Sequence, residues 1–350
     1  MSARRLGIPA VLLLLAGATA AQPPTIEPSA RRALAAGESL RSAVEQVRDG
    51  WVGWAAPTDR RRDLCCWNGA WRGGRGESRG CSLAARSQGF NVGDPGPGDS
   101  IPLGSPSLIV LLQRRDGRPV DLRMVGEACP VRRDGESLSW LSGAAPEESL
   151  ALLEDLADGD AAERVREAAL AAAALHDLPD ATTYLEDVAR SGADREMRDN
   201  AVFWLGEARG ESGYRALDRL LAASLDGELE EKVVFALSVS DVPEAHRRLR
   251  QLAGGAARTG TRTQALFWLA QSGDPGVESA LWEAAEQSAD DEVREQAVFA
   301  MSQLPGERAV DALLRALRDT RHADVRKQAL FWLAESDDPR ALDEIEKLLQ

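Results

Sequence analysis

The chain has 350 residues, with 42 Lys+Arg against 56 Asp+Glu and a net charge of −14; that length accommodates two domains of about 100–200 residues or one long array. The acidity and an aromatic content of only 5% argue against a general nucleic-acid binder, and 44% hydrophobic residues exclude wholesale disorder. The average conceals a polarity, because residues 1–145 carry 19 Lys+Arg against 14 Asp+Glu (+5) and residues 146–350 carry 23 against 42 (−19).

The first residues read as a secretory signal. Arg4 and Arg5 precede an apolar stretch from Leu6 to Ala16, followed by the small-residue site Ala18-Thr19-Ala20. Residues 1–21 are therefore expected to be removed, leaving a chain that starts near Ala21 or Gln22. The apolar stretch is about half of the roughly 20 residues that cross a bilayer, which disfavours an uncleaved anchor. No cysteine follows the site, so a lipoprotein is not expected, while Arg4-Arg5 leaves the twin-arginine route open beside the general one. The longest other apolar run, Ala168 to Leu175, is eight residues and suits a buried helix. The expectation is a periplasmic or extracellular protein with no membrane span after cleavage.

Residues 22–143 read as a small α+β module. An amphipathic helix is predicted over 29–48, and Trp51-Val52-Gly53-Trp54 begins a strand. A loop rich in Gly and Arg follows from Asn68 to Gly80 around Trp71, and another, dense in Gly, Pro and Asp, runs from Gln88 to Pro106. A hairpin is predicted from Leu108–Gln113 and Val120–Val125 with its turn at Asp116-Gly117, and Pro119 makes the start of the second strand an edge. Cys129 comes next, and Ser137–Ser142, with Trp140, leads into the helices.

All four cysteines, Cys65, Cys66, Cys81 and Cys129, lie in this module and none in the last 221 residues. In an exported chain they are read as disulfide partners; their spacing fits no familiar zinc pattern. Adjacent cysteines are awkward to join to each other, so Cys65 and Cys66 are expected to pair separately with Cys81 and Cys129, in an order the sequence leaves open.

From residue 147 the chain repeats itself. Phe203, Phe235, Phe267, Phe299 and Phe331 fall 32 residues apart, and Phe90 is the only other phenylalanine. Around them recur M-R-D-N-A-V-F-W-L from Met197, L-E-E-K-V-V-F-A-L from Leu229, T-R-T-Q-A-L-F-W-L from Thr261, V-R-E-Q-A-V-F-A-M from Val293 and V-R-K-Q-A-L-F-W-L from Val325, with a diverged copy from Val165. Leu185, Leu217, Leu249, Leu281, Leu313 and Ile345 repeat in the same register, and residues 147–157 look like a lone second helix capping the start. Two apolar-periodic stretches per period, separated by turns, mean stacked helical hairpins that bury their faces against their neighbours. Asp274-Pro275 and Asp338-Pro339 each place a capping acid before a proline at a helix start.

The pattern V-R-x-Q-A-[VL]-F-W-L-[AG], an Asp-Pro turn and A-L-x-x-[IL]-x-x-L-L resembles HEAT repeats of the short bacterial PBS-lyase HEAT-like type, over about residues 147–350. The resemblance implies a mainly α fold, an α-α superhelix of about six 32-residue repeats, with first helices convex and second helices concave. It also implies that Arg166, Arg198, Arg262, Arg294 and Arg326 form a ladder tying repeats together, in which Glu230 puts a break. Two enzymatic uses of similar arrays are disfavoured. The di-iron centre of deoxyhypusine hydroxylases needs His-Glu pairs, whereas here His176 precedes Asp177, His246 precedes Arg247 and His322 precedes Ala323; bilin lyases act inside the cell.

With about 100° per residue, Ala329 and Leu333 lie near Val325 on the core stripe, and Phe331 falls about 240° away. Five such phenylalanines make either an apolar stripe that contacts a partner or another domain, or a packing ladder between first helices. Trp204, Trp268 and Trp332 follow alternate phenylalanines and suggest duplication of a two-repeat unit.

The functional expectation is an exported, non-enzymatic protein-protein interaction scaffold or adaptor, with Phe203, Phe235, Phe267, Phe299 and Phe331 as partner-binding candidates. No catalytic residue, metal ligand or cofactor is nominated, the expected partner is a protein, and nucleic acid is not expected. The alternative is that the amino-terminal module binds a small ligand or performs thiol-disulfide chemistry through Cys65-Cys66, with the array as a rigid holder.

Overall fold

The computed structural model describes residues 28–58, 66, 81–84, 107–126, 129 and 131–348, apart from 193, 224–226, 256–257 and 337. Within them a mixed sheet and a helical array share one apolar core. The signal-like segment 1–21, Cys65 and most of the two Gly-rich loops lie outside the described residues.

The sheet begins where a helix is expected. Residues 29–48 hold strand β1 (Ala30–Ala33) and a six-residue helix α1 (Leu40–Glu45), separated by Gly37 at φ +80° and by Ser39, whose side chain caps α1 through the Ser42 amide. Strand β2 (Gly50–Pro57) pairs antiparallel with β4 (Ser107–Arg115), which forms the expected hairpin with β5 (Arg118–Gly126). Asp116 and Gly117 both take positive φ at its turn, as a two-residue loop twisted to match its strands requires. Residues 138–142 form a further strand, β7 (Leu138–Ser142), parallel to both β1 and β2, and the order is β1-β7-β2-β4-β5. Strand β5, which carries Pro119, is an edge strand. Short strands β3 (Cys81–Ser82) and β6 (Val131–Arg132) pair separately.

Strand alternation sends the two faces of this sheet into different cores. Val52, Trp54, Leu108, Val110, Leu112, Leu122 and Met124 point to the helices, whereas Trp51, Ile109, Leu111, Val125 and Trp140 join Cys66, Cys81 and Cys129 beneath the other face. Gly53 sits between Leu111 and Trp140, and a Cβ there would come within 2.8 Å of the Leu111 side chain. Arg123 is 2% exposed within the second core. Its guanidinium is held by Asp121 at 2.9 Å and the Ser82 carbonyl at 2.5 Å, with the Trp51 ring 4.7 Å away. A buried charge requires such partners.

Helix α2 (Pro146–Asp158) is the cap, and six pairs follow: α3 (Glu163–Ala174) with α4 (Pro179–Ser191), α5 (Arg195–Ala208) with α6 (Gly210–Ala222), α7 (Gly227–Val239) with α8 (Pro243–Gly254), α9 (Thr259–Gln271) with α10 (Val277–Gln287), α11 (Asp291–Ser302) with α12 (Glu307–Asp319), and α13 (Ala323–Ala334) with α14 (Pro339–Leu348). The first helices α3, α5, α7, α9, α11 and α13 pack successively into one layer, and the second helices form the other. The core stripe is as the period predicts: Val165, Ala201, Val233, Ala265, Ala297 and Ala329 are all 0–1% exposed. Small residues let neighbouring first helices approach closely; a Cβ on Gly206 of α5 would lie 2.2 Å from the Ala236 carbonyl of α7. Asp338 accepts the Arg340 amide at the start of α14 as expected. Asp274 instead bonds the Gly276 amide in the turn before α10, which starts two residues later than the Asp-Pro pair suggests.

Sheet and array are joined by a buried relay. Trp54 of β2 donates to the Ser149 hydroxyl of α2 at 2.8 Å; that hydroxyl contacts His176 Nε2 at 2.9 Å, and His176 Nδ1 meets the Ala172 carbonyl at 2.8 Å. Because the carbonyl only accepts, Nδ1 carries the proton and Nε2 accepts from Ser149, which satisfies every group with a neutral ring. Burial pushes the His176 pKa down to about 4.

Candidate functional site

The five phenylalanines form a continuous rail with the alternate tryptophans. Phe203 and Phe235 stack with ring centroids 6.2 Å apart, and Phe267 and Phe299 stack at 6.3 Å. Trp268 connects these pairs, lying 4.5 Å from Phe235 and 4.9 Å from Phe267. Trp332 likewise lies 5.4 Å from Phe299 and 5.1 Å from Phe331, and Trp204 is edge-on to Phe203 at 5.2 Å. The two-repeat period therefore has a structural use: a tryptophan in every second repeat bridges the phenylalanine of the preceding repeat and its own. The tryptophans pack on the core at their inner edge. Phe203, Phe235, Phe267 and Phe299 are half-buried, and Phe331 is 52% exposed. The row is thus both a packing ladder and an apolar ridge on the surface of the first-helix layer.

The arginine register works by capping. Arg166 Nε donates to the Ala157 carbonyl at 2.9 Å, Arg262 to Ala253 at 3.3 Å and Arg326 to Leu317 at 3.4 Å. Arg198 and Arg294 reach the carbonyls of Gly192 and Ser288, at 2.9 and 3.0 Å. In each case the guanidinium covers the carbonyl-rich, partly negative end of the preceding second helix. Arg166 and Arg294 also engage Asp194 and Asp324 of the next repeat, at 3.0 and 2.8 Å. Glu230 breaks the capping, as expected, but still ties its repeat to the next. It reverses the polarity, accepting from Arg258 and Thr261 of the next repeat.

Ion pairs run through both layers. On the second helices several carboxylates are paired: Glu186 with Arg190 and Arg219, Asp218 with Arg248, Glu278 with Arg308, Asp311 with Arg340 and Glu344 with Arg318. On the first helices the carboxyl oxygens of Glu163, Glu167 and Glu196 lie within 4.8 Å of one another at the surface. The hydrogen bond to Glu196 and its charge raise the Glu163 pKa, and desolvation raises that of Glu167.

The remaining candidates are structural in their surroundings. Cys66 and Cys81, 2% and 0% exposed, form a disulfide with Cα atoms 4.8 Å apart, and Cys129 is also disulfide-bonded. His176 belongs to the relay, His246 lies 3.8 Å from Asp274, and His322 Nε2 meets the Glu286 carbonyl at 3.0 Å, so the three occupy different places. Among the described residues no helix is long and apolar enough to cross a membrane.

Residues 246–333 match the family of HEAT repeats, and residues 325–350 match the PBS lyase HEAT-like repeat. The carboxy-terminal region is a HEAT-repeat array. No curated protein matches the sequence. Among solved structures, human deoxyhypusine hydroxylase in complex with glycerol is 17% identical, with a TM-score of 0.26 over 57% of this chain and 93% of that one. A structure of lipid-protein interactions in lipovitellin is 14% identical, with a TM-score of 0.40 over 68% of this chain, and the chain covers 32% of it. HEAT arrays of this kind are generally non-enzymatic and mediate protein interactions, in keeping with a surface rail.

Proposed function

We propose that the protein is an exported, non-enzymatic scaffold in which the HEAT array presents its first-helix surface to a protein partner. The observation that carries the reading is the aromatic rail, which keeps five phenylalanines in one register and leaves their outer edges at the surface. Export rests on the signal-like residues Arg4 to Ala20, and disulfide-bonded Cys66, Cys81 and Cys129 suit an oxidising compartment. The test is affinity capture from cell-envelope extract with native protein and with Phe331→Ser, together with amino-terminal sequencing of the native chain. The expected result is a chain starting near residue 21 or 22 and a protein partner captured more weakly by the variant. A cytosolic chain retaining Met1, or identical captures from both baits, would count against it.

A further inference from the structure

We propose that the outward face of α3, α5 and α7 binds a basic amphipathic segment of the partner protein, with apolar side chains on the Phe203–Phe235 pair and Lys or Arg side chains over Glu167, Glu196 and Glu231. The inference rests on the scaffold reading above and adds the chemistry of the partner.

Three observations place the two features together. First, they share a face. Helical periodicity sets Glu196 about 20° and Asp199 about 40° from the direction of Phe203, and Glu228 and Glu231 hold the same relations to Phe235. Glu167 occupies in α3 the register of Asp199 and extends the acidic band past the first ring. Second, this band is only partly neutralised from within. Lys232 pairs with Asp199 and Arg195 with Glu228. Glu163, Glu167, Glu196 and Glu231, by contrast, make no ion pair among the described residues, and three of them crowd within 4.8 Å. Incoming cations there relieve the like-charge repulsion among Glu163, Glu167 and Glu196. Third, the band is interrupted. Beside Phe267, helix α9 carries Gly260, Thr263 and Gln264 in place of acids, so the combined apolar and acidic surface of α3, α5 and α7 is separated from the next acids of that register, Glu292 and Glu295 beside Phe299. An anionic membrane is repelled by such a surface; a segment with both Leu-like and Lys-like side chains fits it, and cations above ring faces add to the attraction.

The probe is a fluorescein-labelled 18-residue amphipathic Lys/Leu peptide titrated with the full-length mature protein and followed by anisotropy. Peptides with Lys/Ser and Glu/Leu composition serve as comparisons. The Lys/Leu peptide is expected to bind, with affinity falling several-fold as salt rises from 50 to 300 mM. Glu196→Lys with Glu231→Lys should weaken binding at least tenfold, while Asp343→Lys with Glu346→Lys on α14 leaves it within twofold, the melting curve of each double variant matching that of the native protein. The proposal is overturned if the Lys/Ser peptide binds as tightly, if both double variants lose affinity equally, or if no Lys/Leu binding is detected. Failure of the peptide beside retained partner capture in the preceding experiment would remove the basic chemistry and leave the scaffold; failure of both would remove both.

Discussion

Glu230 and Thr261 are bonded to each other, and each is the polar exception in its own register of the repeat. Glu230 stands where Arg166, Arg198, Arg262, Arg294 and Arg326 stand elsewhere; Thr261 replaces the apolar Val165, Met197, Leu229, Val293 and Val325. Thr261 is 5% exposed, so its hydroxyl needs the carboxylate, and Arg258 completes the set at the 28-residue offset that separates Arg166 from Asp194. Restoring the arginine alone, Glu230→Arg, is therefore expected to cost about 1–3 kcal/mol by orphaning the hydroxyl and opposing Arg258. The triple change Glu230→Arg, Arg258→Asp and Thr261→Val should recover most of that loss. Urea denaturation of the single and triple variants checks it, and a single variant as stable as the native protein would refute the coupling.

The His176 relay predicts a pH dependence of known sign. The folded pKa is held down at about 4, below the ordinary value of 6.5, so the unfolded chain takes up the proton first as pH falls. Its stabilising contribution is complete above about pH 6.5 and declines progressively to about pH 4, by about 2 kcal/mol at pH 5. In His176→Asn the loss between pH 7 and pH 5 should be smaller by about that amount. Equal losses in the two proteins would dismiss the relay as the pH-sensitive joint.

Ring burial decides the cost of truncating the rail. Phe267, half-buried between Trp268 and Phe299, should cost about 2 kcal/mol on replacement by serine, a fraction of the roughly 3–5 kcal/mol of a fully buried phenylalanine. Phe331 is 52% exposed, and Phe331→Ser should cost less than about 1 kcal/mol. Thermal melting separates the two, and equal effects would contradict the ladder geometry.

The bridge between Cys66 and Cys81 closes a segment with a sequence separation of 15, for which chain entropy gives a stabilisation of about 3 kcal/mol. Under native alkylation Cys66, Cys81 and Cys129 should remain unlabelled until the protein is denatured and reduced. Labelling of Cys66 in the native protein would instead support thiol chemistry in the amino-terminal module.

The array was legible because its information is local and repeated: a 32-residue register places Val165, Ala201 and Leu333 in the core without reference to distant residues. The hairpin was legible for the same reason, since Asp116-Gly117 carries its own turn chemistry. Residues 29–48 misled because Ala30–Ala33 pairs with Ser139–Ser142, more than a hundred residues away, and that pairing overrides a local helical pattern. The rail was half legible. Spacing put the phenylalanines on one line, but whether they touch depends on how closely helices approach, which Gly206 and the bridging tryptophans set. The polarity reversal at Glu230 required seeing Arg258 and Thr261 arrive from the next repeat.

The central claim is that the first-helix rail is the surface that meets a partner. Site-specific photo-crosslinking in the source cells tests it most directly, with a benzoylphenylalanine placed at Phe331 on the rail and, separately, at Arg315 on the second-helix layer. The account predicts a discrete crosslinked protein from position 331 and none from 315. Crosslinks only from 315, or from neither, would contradict it.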